Sequence, residues 1–236
     1  MISINTISKE MTQGQTGPYL CADEDDNEYI VKGPRTTYRG LVNELVCATL
    51  GKALGLPIPD FEIAYVDRTL LRYGSYSLDE GDWFASKFEP NVQDLVYSAV
   101  GNLDPETLKL LFIFDYWIKN NDRTLTEKGG NPNVFIKPDG KSIIVLDHNL
   151  AFCPTFDEEW EEKKMLHVGA SAWFQEQLSL YDREFFTEKM GQAISTLDEI
   201  EIPEEWSDNC AIDSIMEDIR LTLSRYETEE FWEGIK

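Results

Sequence analysis

The hydrophobic period of this 236-residue chain changes at Pro90, and that change limits its folds more than any other feature. Before Pro90 the apolar residues come in short β-type runs. Ile2, Ile4 and Ile7 precede a glycine-containing turn, MTQGQTGP, and the runs PYLCA and YIVKG are joined by the acidic turn DEDDNE. Two such runs across an Asp/Asn cluster predict an antiparallel hairpin. Phe61 to Asp67 and Asp82 to Glu89 read as further strands. One helix interrupts them: apolar residues fall at 41, 42, 45, 46, 50, 53 and 54, and Gly55 and Pro57 stop it. After Pro90, residues 105–120, 171–200 and 209–226 carry a helical period, with Pro203 and Trp206 between the last two. Val134 to Ile136 and Ser142 to Asp147 are predicted to pair as short strands across the turn KPDGK. Residues 154–170 are acidic and show no clear period. The expectation is an α+β chain in two lobes, a β-rich one over 1–90 and a mainly helical one over 91–236.

Charge narrows the function. The chain holds 21 basic and 44 acidic residues, a net of −23. A surface this negative is repelled by phosphate backbones, and no basic patch offsets it, so no nucleic-acid partner is expected. Residues 1–150 carry 14 basic and 22 acidic side chains, and residues 151–236 carry 7 and 22, so the second part is the more acidic. It reads first as a solvated surface and second as a docking face for a basic partner. Apolar residues at 42% supply a globular core. Cys21, Cys47, Cys153 and Cys210 form no C-x-x-C pair, and His148 and His167 are the only imidazoles. A structural zinc site is therefore not expected, and reduced core thiols in a cytoplasmic protein are. No signal peptide is apparent at MISINTISKEM, and the apolar run Leu108 to Ile118 is too short for a bilayer and contains Asp115. No membrane association is expected.

The chain has no G-x-S-x-G, no H-E-x-x-H and no G-x-x-x-x-G-K-[ST]. Its glycine turn, with Gly14 and Gly17, lies between strands, which suits a flap over phosphates better than a dinucleotide site. Lys32 ends the strand YIV, and Glu44 follows on the helix. A strand lysine and a helix glutamate are the pair that fixes an ammonium against a polyanionic triphosphate. Each alone reads equally as a surface residue. Further on, Asp122 follows a long apolar helix, Asn133 stands just before a strand, and Asp147 ends the next strand. Phosphoryl transfer needs one carboxylate to orient the attacking hydroxyl, and an amide oxygen and a second carboxylate to hold Mg²⁺. The order of these groups along the chain carries more weight than any one of them.

The stretches EYIVKG, NELVCATLGKALGLPIP and DYWIKNNDRT…GGNPNVFI…IVLDHNLAF, with a final IPEEW before a helix, resemble the short, stand-alone HipA-like kinases. The resemblance spans nearly the whole chain. It implies a bilobal protein-kinase-like fold that uses ATP and Mg²⁺ to phosphorylate a Ser or Thr hydroxyl of a protein. It carries Lys32 over as the nucleotide lysine, Asp122 as the catalytic aspartate, and Asn133 and Asp147 as metal ligands. Ser86, Lys87, Phe88 and Glu89 match the hinge whose backbone holds adenine. It also implies a translation component as acceptor, a small regulatory protein as partner, and autophosphorylation in the glycine turn, where Thr12 and Thr16 stand. In this chain Asn133 comes eleven residues after Asp122, across the insertion LTEKGG; Asn131 competes for the metal, and Gly129-Gly130 read as a hinge that brings Asn133 into place. His148 is expected to support the metal loop or simply to pack, and residues 149–170 to form an activation-type segment. The competing readings are a catalytically weak kinase-fold module docking through the acidic face, and a small-molecule or lipid kinase.

Overall fold

The computed structural model describes residues 1–11, 16–175 and 177–236, apart from the side chains of Tyr73 and Tyr181. Five strands close into a barrel in the order β1-β2-β3-β5-β4. They are β1 (Ile2–Glu10), β2 (Tyr19–Asp23), β3 (Glu28–Lys32), β4 (Phe61–Val66) and β5 (Gly81–Lys87). All pairs are antiparallel except β1 with β4. The predicted hairpin is β2–β3, in the register Tyr19↔Val31 and Leu20↔Ile30. Its acidic turn is built by Asp23, whose carboxylate accepts the backbone N–H groups of Asp25 and Asn27, both at 2.9 Å. That is the bond an Asp makes when it turns the chain locally.

Helix α1 (Tyr38–Leu54) covers the barrel. Thr37 caps it by accepting the Gly40 N–H at 3.1 Å, and Gly55 ends it with φ 92°. The helix is buried almost all round, because α5 (Leu180–Ser195) and the turn at 196–199 pack on its far side. A helix enclosed in this way reads as apolar on every face except where a polar group has work at a partner. Here the exceptions are Asn43 and Glu44.

The remainder is mainly helical around α2 (Pro105–Trp117), which Asp104 caps through the Thr107 N–H at 2.9 Å. Leu111, Phe112, Ile113, Phe114 and Trp117 on this helix are fully buried, and Phe112 packs against Trp160, Trp173 and Phe174. Three strands form a small sheet in the order β10-β9-β6: β6 (Gln93–Asp94), β9 (Val134–Ile136) and β10 (Ile143–Val145). The expected pairing across KPDGK is present, with Val134 opposite Val145. The last helices are α3 (Phe156–Lys163), α4 (Ala170–Trp173), α6 (Glu204–Asn209), α7 (Ile212–Leu223) and α8 (Glu229–Gly234).

Several elements differ from the sequence reading. The acidic stretch 154–170 holds α3, whose only buried residues are Phe156 and Trp160, too narrow a stripe to show as a period. The helix expected from 171 begins at Leu180, with a capping box at Ser179 and Asp182. Between Pro203 and Trp206, read as a break, lies the start of α6, and α8 follows α7. The insertion LTEKGG is a hairpin, β7 (Thr124–Thr126) against β8 (Gly129–Asn131), not a hinge. A Cβ on Gly130 would stand 2.3 Å from the Thr124 carbonyl oxygen, so the glycine is there for close strand approach. The four cysteines are free thiols; Cys21 and Cys47 are core residues, whereas Cys153 and Cys210 are half-buried. Among the described residues no helix is long and apolar enough to cross a membrane.

Candidate active site

A cleft of about 1570 Å³ is lined by Lys32 and Glu44 from the barrel side and by Asp122, Asn133 and Asp147 from the loops around β7 to β10. Asn131, Thr16 and all four residues of the expected hinge, Ser86, Lys87, Phe88 and Glu89, line the same cleft. Gly17 adopts φ 54° at the end of the glycine turn and does not line it. Gly14 and Thr12 lie outside the described residues.

Lys32 is the last residue of β3, and its side chain is buried. Its ammonium donates to Glu44 Oε1 and, at 2.7 Å, to Asp147 Oδ1. One cation thus joins a strand, a helix and a loop 115 residues away in sequence. Burial disfavours the ammonium, but Glu44 and Asp147 outweigh it and raise its pKa. Burial, with the neighbouring Asp147 carboxylate, pushes Glu44 up against the pull of Lys32. Asp147 is more open; burial works against its charge, yet Lys32 holds it at about 2. Glu44 Oε1 also accepts the His148 N–H at 3.1 Å, which ties α1 to the Asp147 loop.

Asp122 faces this cluster across the cleft, and burial raises its pKa. Its Oδ2 accepts the side-chain amides of Asn131 at 2.9 Å and of Asn133 at 3.2 Å. A carboxylate only accepts, so each amide presents its nitrogen to Asp122 and both amide oxygens point elsewhere. Asn133 and Asp147 adopt left-handed backbone, at φ 48° and 63°. Non-glycine residues are held there only where the surroundings fix them, which is common at reactive sites. Asp147 and Asn133 offer hard oxygen donors suited to Mg²⁺. Among the described residues no group of three or more His, Cys, Asp or Glu could hold a metal, so a cation here depends on one carboxylate, one amide and the substrate's own oxygens.

Within the expected hinge, Ser86 and Lys87 belong to β5 and pair with β3 and β4. The N–H of Lys87 goes to the Asp60 carbonyl at 2.7 Å and that of Phe88 to Glu28 at 2.8 Å. The Glu89 N–H has no partner among the described residues, so the open donor is at the end of the stretch.

Sequence reasoning missed a buried group beneath the site. Asp115, Arg123 and His167 are each 5% exposed or less and bond to one another through Asp115. The available signal was Asp115 itself, a charge inside an otherwise apolar helix, which requires a buried partner. His148 packs edge-on against Phe114, and burial, with Arg123 nearby, lowers its pKa to about 3. It supports the loop through its backbone N–H while its ring is a packed, neutral imidazole.

The sequence matches the HipA-like kinases over residues 4–235. The chain belongs to the HipA-like kinase family. No curated protein matches it. Among solved structures it is similar to the Helicobacter pylori proinflammatory kinase CtkA, at 13% identity and TM-score 0.58, over 100% of this chain and 95% of that one. That likeness concerns the fold, a mixed α+β arrangement with a strand-rich first part and a helical second part. Family membership makes this HipA-like chain a kinase, with ATP the donor such enzymes use.

Proposed function

We propose that this HipA-like kinase is a bilobal enzyme that uses Mg-ATP to phosphorylate a Ser or Thr hydroxyl of a protein. The observation that carries the reading is the ion-paired Lys32–Glu44–Asp147 cluster facing Asp122 and Asn133 across one cleft. Lys32 neutralises phosphate oxygens, and Glu44 keeps its ammonium from following Asp147 alone. Asp122 orients the acceptor hydroxyl and receives its proton; its raised pKa makes it a better base than an exposed aspartate. Asp147 and Asn133 would hold the magnesium ion, whose charge, when bound, offsets that of the transferred group. Asn133 fits better than Asn131, because its carbonyl accepts the Leu146 N–H at 3.0 Å and so stands beside the Asp147 loop. The open Glu89 N–H supports the hinge as the segment that holds adenine. The acidic second part of the chain favours a basic acceptor protein.

Calorimetric titration of ATP with and without Mg²⁺, on wild type and Asp147→Ala, tests this. Magnesium-dependent binding lost in the variant is the expected result. A folded wild type that binds no nucleotide would overturn it and leave the docking-module reading.

A further inference from the structure

We infer that Arg123, held by Asp115, is a positioning residue that sets the spacing of Asp122, Asn133 and Asp147; this rests on the kinase reading above. Arg123 directly follows Asp122, and its side chain is fully buried. Its Nε donates to Asp115 Oδ2 at 2.6 Å. Its Nη1 donates to three backbone carbonyls: Pro132 at 3.0 Å, Asn133 at 2.9 Å and Leu146 at 3.1 Å. The second carbonyl belongs to Asn133 itself, and Leu146 immediately precedes Asp147. One nitrogen therefore ties the Asn133 and Asp147 segments to the segment that carries Asp122.

Asp115 completes the frame from beneath. Its Oδ1 accepts the Asn120 side-chain amide at 2.9 Å, and Asn120 Oδ1 receives the Asp122 N–H at 3.3 Å. Its Oδ2 also meets His167 Nε2 at 2.8 Å, while His167 Nδ1 accepts the Gly169 N–H at 2.9 Å. The second bond leaves Nε2 as the protonated nitrogen of a neutral ring. The segment after Asp147 is thus tied to the same carboxylate.

The arrangement is poor as a stability device. Arg123 Nη2 is buried with no hydrogen-bond partner among the described residues, which costs stability. A buried ion pair is often replaceable by apolar residues without loss of stability, so its retention here points to what it holds in place. Lysine cannot substitute: a single ammonium on a flexible stem cannot face Asp115 and the three carbonyls as the planar fork does.

The test compares wild type, Arg123→Lys and His167→Gln. His167→Gln disturbs Asp115 but none of the three carbonyls. Melting temperature, calorimetric ATP affinity at saturating Mg²⁺, kcat, KM for ATP and the half-saturating Mg²⁺ concentration are measured for each. In Arg123→Lys the half-saturating Mg²⁺ is expected to rise about tenfold or more. Its kcat falls about 100-fold, with ATP affinity and KM for ATP at saturating Mg²⁺ unchanged. His167→Gln lowers the melting temperature and leaves the Mg²⁺ requirement where it was. A wild-type Mg²⁺ requirement in Arg123→Lys, or an equal shift in His167→Gln, overturns the inference and leaves a structural role alone. If Arg123→Lys does not fold, Asp115→Asn keeps the carboxylate's shape but releases the guanidinium; it should show the same shift, and a folded variant without one is equally decisive against. A wild type that transfers no phosphate with Mg²⁺ refutes the kinase reading instead, before any variant is made.

Discussion

Lys32, Glu44 and Asp147 place two carboxylates and one ammonium in a poorly hydrated pocket, an arrangement stable only while the cation is shared. Asp122 makes no hydrogen bond to that cluster, so its loss should leave the Lys32 phosphate site intact. Asp122→Asn is expected to lower kcat by about 100-fold or more with nucleotide affinity unchanged. Near-wild-type turnover in steady-state assays would remove Asp122 from the mechanism. The acid limb of the wild-type kcat/KM profile should lie above 3.8, because burial raises the Asp122 pKa and activity is lost as it protonates. The two buried histidines set stability on the acid side. Both have lowered pKa values, His148 from 6.5 to about 3, each with burial as the largest cause. The unfolded chain binds those protons near 6.5 while the folded protein does not, so stability falls as pH drops from there. His148 contributes a slope of about 1.4 kcal/mol per pH unit, and His167 adds in the same direction. Asp115 and Asp147, held at about 2, add a loss that begins only below 3.8. Glu44, raised to about 7, takes up its proton in the folded state first and opposes that slope, so urea midpoints between pH 7 and 5 are compared for wild type and His148→Leu, and the variant should lack the His148 share. An unchanged slope in that variant would mean that His148 is not the group that titrates.

Among the elements, α6 shows why IPEEW matters. Glu205 accepts the Asp82 N–H at 3.0 Å and the Tyr38 hydroxyl at 3.1 Å, and Trp206 Nε1 donates to the Asp82 carbonyl at 2.7 Å. One short helix so fastens the C-terminal part to both β5 and the first residue of α1, the helix that carries Glu44. Glu205→Ala leaves two donors unpaired and should lower stability by about 1–3 kcal/mol in denaturant titrations. A loss confined to a few tenths would show that water replaces the carboxylate. The β7–β8 hairpin offers a second check. Gly130→Ala forces the strands apart at Thr124, two residues from Asp122, and should destabilise by about 1–3 kcal/mol. An unperturbed melting curve would contradict the close approach.

Across the whole molecule, a net charge of −23 surrounds the cleft with a field that attracts basic partners. With a basic acceptor protein, raising NaCl should raise KM for that protein and leave kcat unaltered, because screening acts on encounter. A KM insensitive to salt would point to an apolar docking surface. The sequence determined by itself the passage from a strand-rich first part to a helical second part, the β2–β3 and β9–β10 hairpins, and the candidates Lys32, Glu44, Asp122, Asn133 and Asp147. Those follow from local periodicity, turn chemistry and residue type, which need no knowledge of distant segments. Tertiary structure alone decided that Lys32 lies between Glu44 and Asp147, that LTEKGG is a paired hairpin, that α3 is a helix, and that Asp115, Arg123 and His167 meet beneath the site. The Lys32 and Asp115 clusters depend on groups far apart in sequence meeting in a space without water, which no local pattern encodes, while the hairpin and α3 are local elements with too few buried residues to show a period.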